Sequence, residues 1–146
     1  MSGLIDTNLL VYAVNRDSPQ NQSARSFLSE TLEGTKEVYL CWAVFYEFLR
    51  VTTHPKVFPK PLTWQEALGF VAGILKSPNV KILYEGEGHC EVLQDVLRLL
   101  RIPQGNLMHD AHIAALLKEN GLSKIYTCDT DLRLFPFLEV VDPISE

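Results

Sequence analysis

Short apolar runs of β type alternate along this chain with longer segments whose apolar residues recur at helical spacing, and this alternation restricts the fold more than any other feature. Gly3 to Ile5 is a minimal apolar run ending at Asp6, where Asp6-Thr7-Asn8 offers capping side chains ahead of Leu9, Leu10, Tyr12 and Ala13. Ala24, Phe27, Leu28, Thr31 and Leu32 form a second helical stripe closed by Gly34. A β-type run from Val38 to Cys41 leads into a helix from Ala43 to Thr52. Thr63 and Glu66 form a capping box for a helix with Trp64, Ala67, Leu68, Val71 and Leu75 on its apolar stripe. Val80 to Tyr84 is the next strand candidate, followed by a helix through Leu93, Val96, Leu97 and Leu100. Asn106 is placed to cap a helix through Ala111, Ala114, Ala115 and Leu117. Lys124 to Cys128 is a strand, Asp129 to Phe135 a turn or short helix, and Glu139 to Val141 a final strand. Strands separated by helices predict an α/β domain with a mostly parallel sheet, whose functional crevice lies outside the carboxyl ends of the strands.

A length of 146 residues fits one domain spanning 1–146, and 47% hydrophobic residues suffice for a sizeable core. No apolar run approaches the roughly 20 residues that span a bilayer. The N-terminus lacks the basic stretch and long apolar region of a secretory signal, so a cytoplasmic location without membrane contact is expected. Cys41, Cys90 and Cys128 are odd in number and widely spaced, which argues against a disulfide framework; each is expected as a core thiol.

Four acids depart from ordinary solvated carboxylates by position. Asp6 and Asp129 each follow an apolar strand, where the carboxyl edge of a parallel sheet lies. Glu47 sits among Ala-Val-Phe-Tyr-Glu-Phe-Leu-Arg-Val, and Asp110 precedes the small residues of an Ala-rich helix. Each also has a simpler role open to it: Asp6 and Asp129 as helix caps, Glu47 as the partner of Arg50 three residues on, Asp110 as a first-turn dipole partner. Burying unpaired carboxylates is costly, and a shared divalent cation satisfies all four at once. Oxygen-only ligands favour magnesium or manganese. Asp131 reads equally as a further ligand or a second cap, and Thr7 and Asn8 as residues that orient Asp6. His109 and His112 flank Asp110 but are left out of the ligand set, because histidine prefers softer ions. The net charge of −5 counts against a nucleic-acid partner only until ions load, since two divalent cations bring it close to neutral. Asp17, Glu30, Glu33, Glu85, Glu87, Glu91, Asp95 and Glu119 have polar surroundings and are expected to face solvent.

Leu4-Ile5-Asp6-Thr7-Asn8-Leu9-Leu10-Val11-Tyr12-Ala13 resembles the opening strand and turn of PIN domains. Phe45-Tyr46-Glu47-Phe48-Leu49-Arg50-Val51 is similar to their second acidic segment, Asn106 to Ala115 to the third, and Tyr126-Thr127-Cys128-Asp129-Thr130-Asp131 with Phe135-Pro136 to the last. Each motif alone is weak; the four in order, from Leu4 to Pro143, are specific. The strongest resemblance is to the VapC toxins of VapBC toxin–antitoxin pairs. It implies a three-layer α/β/α sandwich and metal-dependent cleavage of single-stranded RNA or RNA loops, often in transfer or ribosomal RNA. It also implies a homodimer and inhibition by a VapB-type antitoxin. Asp6, Glu47, Asp110 and Asp129 become the expected catalytic metal ligands with Asp131, and Thr7, Asn8 and Thr127 the supporting residues. Leu132 departs from the family, which commonly has an aromatic residue there.

On this reading one or two ions lower the pKa of a bound water and stabilise the charge developing on phosphate. Grip on RNA is expected from the acid-free stretch Phe48 to Gln65, through Arg50, Lys56 and Lys60, with a base stacked on Phe58; the alternative is a solvated loop with Trp64 in the core. Competing functions are a PIN nuclease of RNA processing without an antitoxin, and a non-catalytic PIN-like binding module. An aspartyl phosphatase lacks a following lysine in place, and no Gly-x-Gly-x-x-Gly marks a dinucleotide fold.

Overall fold

Five short parallel strands make one sheet in the computed structural model, which describes residues 2–145. Met1 and Glu146, the ends of the expected 1–146 domain, lie outside the described residues. The strands are β1 (Leu4–Ile5), β2 (Val38–Leu40), β3 (Val80–Ile82), β4 (Lys124–Tyr126) and β5 (Glu139–Val141), in the spatial order β3-β2-β1-β4-β5. Every pairing is parallel, with Leu4 opposite Tyr39 on one side of β1 and opposite Ile125 on the other. The central strand needs only two residues because both are fully buried, and β2 and β4 flank it on either side.

The connections are α1 (Thr7–Val14) and α2 (Asn21–Glu33), then α3 (Trp42–Thr52) and α4 (Trp64–Leu75), then α5 (His89–Leu97) and α6 (Asn106–Glu119). A short 3-10 helix, Thr130–Leu134, joins β4 to β5. Right-handed crossovers put the first four helices on one face of the sheet and the last two on the other, giving a three-layer α/β/α sandwich. Chain direction across the sheet reverses between β1 and β4, so a crevice opens at their carboxyl ends. Leu132, the departure from the family pattern, is buried with Phe135 and closes the core beside this junction.

Several local expectations are corrected. The α4 capping box forms between Thr63 and Glu66, but the inward face carries Ala67, Val71 and Ile74, while Trp64 (65% exposed), Leu68 and Leu75 face out. The apolar arc of this helix is wider than the face α3 covers, and the stack of Phe70 on Phe48 fixes which part turns inward. Gly105, not Asn106, occupies the N-cap of α6; its φ of 60° is a left-handed conformation that glycine adopts without steric cost. Cys41 is buried, but Cys128 is only partly so and Cys90 is exposed on α5, so the expected core role fails for Cys90. Glu119 is not solvent-facing: it accepts from the backbone N–H of Gly86 at 2.9 Å and pairs with His89 Nδ1 at 2.6 Å, which ties the β3–α5 loop to α6. Among the described residues no helix is long and apolar enough to cross a membrane.

Candidate active site

A cleft of about 510 Å³ opens where the sheet topology places it, at the carboxyl ends of β1 and β4. Its lining includes Asp6, Glu47, Asp110, Asp129 and Asp131, brought from four separate parts of the sequence. Asp6 enters as the residue that follows β1, Glu47 from the middle of α3, Asp110 from the second turn of α6, and Asp129 and Asp131 from the segment after β4.

One hydroxyl organises the junction. Thr127 Oγ1, almost fully buried, donates to Asp6 Oδ2 at 2.8 Å and accepts from Asn8 Nδ2 at 2.8 Å and from the Asp129 backbone N–H at 3.0 Å. Asn8 returns the tie, its Oδ1 accepting from the Cys128 N–H at 3.1 Å. The other Asp6 oxygen accepts from the Thr7 N–H at 2.8 Å, so Asp6 is the N-cap of α1 as well as part of the cleft wall. Asp129 likewise caps the 3-10 helix by accepting from the Asp131 N–H at 2.9 Å. The capping roles and the cleft positions coexist, because at the end of a parallel strand the cap of the next helix points along the crevice.

The acids divide into two kinds by environment. Asp110, Asp129 and Asp131 each present an oxygen within 4.8 Å of the other two, close enough to share one hard cation. Among the described residues Asp6, Asp110, Asp129 and Asp131 have no basic ion-pair partner. Burial, followed by the charges of Asp129, Asp6 and Asp131, pushes the Asp110 carboxyl up to about 7. Burial also raises Asp6, against the opposing hydrogen bonds from Thr127 and Thr7. Glu47 differs: the hydrogen bonds from Arg50 hold its carboxyl below the usual range. The donor set at the tight cluster is all oxygen, with uncompensated negative charge, and so it fits a hard divalent ion.

The residues expected to grip RNA separate. Arg50 lines the cleft, while Lys56 and Lys60 do not, and Lys60 Nζ lies 3.7 Å from Asp17 Oδ2 in an exposed pair. Phe58 is 4% exposed, so the expected stacking on a base is ruled out by burial. Trp64, offered as the core residue in the alternative reading, is exposed. His112 points elsewhere and pairs with Glu85 at 3.1 Å, whereas His109 lines the cleft without belonging to the tight cluster. Sequence reasoning missed the other lining residues: Val11, Tyr12, Val51 and Asn106. Helical spacing held the signal, since Val11 and Tyr12 follow Thr7 and Asn8 by one turn, Val51 follows Glu47 by four residues, and Asn106 precedes Asp110 by four.

Comparison with known proteins decides the family. The PIN domain family profile matches residues 3–138. Ribonuclease VapC48 of Mycobacterium tuberculosis is 34% identical over 145 residues, covering 99% of both chains. The chain belongs to the VapC group of the PIN-domain family. Ribonuclease VapC33 of the same species is 32% identical over 97% of each sequence. Among solved structures, M. tuberculosis VapC20, described as a sarcin-ricin loop cleaving toxin, superposes with a TM-score of 0.63 at 14% identity over 91% of this chain and 93% of that one. VapBC2 from Rickettsia felis, bound to a DNA fragment from its promoter, gives 0.62 at 17% identity over 97% and 98%. At these identities the superpositions establish the PIN-domain fold, and the acid cleft of this VapC-group chain lies at the switch point of that fold.

Proposed function

We propose that this chain is an endoribonuclease dependent on magnesium or manganese, and that it serves as the toxin of a toxin–antitoxin pair. One observation carries the catalytic part: the oxygens of Asp110, Asp129 and Asp131 converge within 4.8 Å in an open cleft, and among the described residues none of the three has a basic ion-pair partner. The Asp110 carboxyl, pushed up to about 7 by burial first and then by the charges of Asp129, Asp6 and Asp131, is costly to ionise there without a cation. Full-length relatives named as VapC ribonucleases support the choice of RNA as substrate.

Asp110, Asp129 and Asp131 hold the ion, with Asp6 and Glu47 completing the site along the cleft. When bound, the ion supplies electrophilic stabilisation of the phosphoryl oxygens and acidifies an attacking water. Thr127, Thr7 and Asn8 fix the orientation of Asp6, so that its oxygens stay aimed without reorganisation during the reaction. Arg50 stands at the edge of the cleft with five guanidinium donors, a fork suited to phosphate. Lys56 and Lys60, on the loop leaving α3, extend this cationic side beyond the cleft. Single-stranded RNA or RNA loops, as in transfer or ribosomal RNA, are the substrates that the PIN-domain resemblance implies.

The partner is a VapB-type antitoxin, and the working form is a cytoplasmic homodimer. Structural neighbours described as VapBC assemblies, including VapBC-1 from nontypeable Haemophilus influenzae, support the first part. Incubation with total RNA plus magnesium or manganese, with mapping of the new ends, tests the enzyme reading. Cleavage that stops with a chelator and is lost in Asp110→Asn is expected. Wild-type protein that leaves RNA intact in both metals, or a chelator-resistant cut, overturns it.

A further inference from the structure

Resting on the ribonuclease reading, we propose that the apolar wall of the cleft, formed by Val11, Tyr12 and Val51, seats one nucleobase beside the phosphate held at the acids. These three side chains line the same cavity as the carboxylates, yet Val11 and Val51 offer a cation or a phosphate no polar atom and Tyr12 offers only its hydroxyl. Val11 and Tyr12 pack against the core on their inner side, and the apolar faces that the wall turns to the cleft match a ligand that brings a flat, weakly polar part next to its charged part; in RNA that part is the base.

Tyr12 is the decisive residue. It is the one phenol ring that lines the cleft among the described residues; the other ring there, the His109 imidazole, stands on α6 beside Asp110. Several other aromatics are paired, Phe48 stacking on Phe70 and Trp42 packing edge-on to Phe45, and the exposed rings of Trp64 and Tyr84 do not line the cleft. Tyr12 has no ring partner or hydrogen-bond partner for its hydroxyl among the described residues, and it is only half-buried. It lies six residues beyond Asp6, which at 1.5 Å per residue sets it roughly 9 Å along the α1 axis from the acid, a separation on the scale of one nucleotide. Val11 and Val51 come from facing helices, α1 and α3, and widen the wall toward Arg50. Stacking of this kind accepts any base and adds affinity without reading sequence.

The test compares cleavage of a short single-stranded RNA, and of the same RNA with one base removed beside the cut, by wild type, Tyr12→Ala and Tyr12→Phe. With intact RNA, Tyr12→Ala is expected to raise KM about five- to hundredfold with kcat nearly kept, and Tyr12→Phe, which keeps the ring, to stay close to wild type. Removing the base is expected to raise the wild-type KM similarly and to erase the difference between Tyr12→Ala and wild type. The base-removal arm needs only wild-type protein, so the idea stays testable if Tyr12→Ala folds poorly. If wild type cuts RNA but neither base removal nor Tyr12→Ala changes KM, the seat is overturned and the ribonuclease reading stands. If Tyr12→Ala costs as much on the base-free RNA, Tyr12 supports structure and the seat is again overturned. If wild type cuts no RNA, the ribonuclease reading fails and the seat falls with it.

Discussion

Arg50 grips Glu47 by both carboxylate oxygens, Nη2 to Oε1 at 2.5 Å and Nε to Oε2 at 3.1 Å, at the edge of the cleft that holds the other acids. The two are three residues apart on α3, so helical geometry alone brings them together. An ion recruiting Glu47 must compete with this guanidinium, and a phosphate approaching Arg50 must compete with Glu47. Loading of metal and of RNA therefore relieve each other's cost.

Arg50→Ala separates the two effects. The pair is substantially exposed, so it is worth at most about 1 kcal/mol. Manganese affinity measured by calorimetry is expected to rise by up to about fivefold, while KM for RNA rises as well. Unchanged metal affinity together with unchanged KM contradicts both roles.

The raised Asp110 carboxyl makes metal-free stability depend on pH. The folded protein keeps a proton that the unfolded chain has already lost between about 4 and about 7. This stabilising contribution is complete below about 4 and disappears as pH rises through about 7. Metal-free protein is therefore expected to lose Tm from pH 5 to pH 8, and magnesium to restore it at pH 8. Asp110→Asn removes the repulsion with Asp129, Asp6 and Asp131, so its metal-free Tm at pH 8 is expected to exceed that of wild type, by about 3 °C, while cleavage is abolished. A metal-free Asp110→Asn that melts at or below the wild-type temperature at pH 8 contradicts the electrostatic account.

The sheet was legible because alternation of period is a local property: Leu4-Ile5, Val38 to Leu40 and Lys124 to Tyr126 carry their burial in their own composition. Asp6 and Asp129 were legible as cleft residues for a related reason, since the turn after a buried parallel strand faces the crevice wherever the strand pairs, while Glu47 and Asp110 stood out by their apolar and small neighbours on α3 and α6. Which carboxylates come closest was not. Asp131 shares the tight cluster with Asp110 and Asp129 because the backbone of the 3-10 helix doubles back, a geometry no spacing of two residues dictates. The burial of Phe58 and exposure of Trp64 were hidden for another reason: Phe58 lies in the proline-punctuated loop and Trp64 opens the helix after it, and the direction of this segment is set by how α4 packs on α3. Cys90 and Glu119 failed alike, because composition around a residue does not reveal which side of an amphipathic helix meets a neighbour.

Lys56 and Lys60 do not line the cleft, so under the proposed reading they act on RNA at long range. Reversal of both to Glu is expected to weaken association and to lower the slope of log affinity against log salt by about one to two, with kcat and manganese affinity kept. The exposed contact with Asp17 is too weak to hold Lys60 away from a phosphate. An unaltered salt slope removes these lysines from the RNA path.

Thr127 is the residue through which β1 and β4 hold their acids in common register. Its hydroxyl makes three hydrogen bonds, to Asp6, Asn8 and the Asp129 backbone, and it is 1% exposed. Thr127→Val preserves shape but leaves the Asp129 N–H without its acceptor, leaves the Asn8 amide only its 3.4 Å contact with Asp6, and removes one donor to an already raised Asp6. A stability loss of about 1–3 kcal/mol is expected. Asp6 is then free to turn from the cleft, so manganese affinity is expected to fall with stability, whereas Thr127→Ser keeps the hydroxyl and most of both. Calorimetric metal titration alongside thermal melts distinguishes this from simple loosening: a Thr127→Val protein that is destabilised yet binds manganese as tightly as wild type shows that Asp6 is held without Thr127.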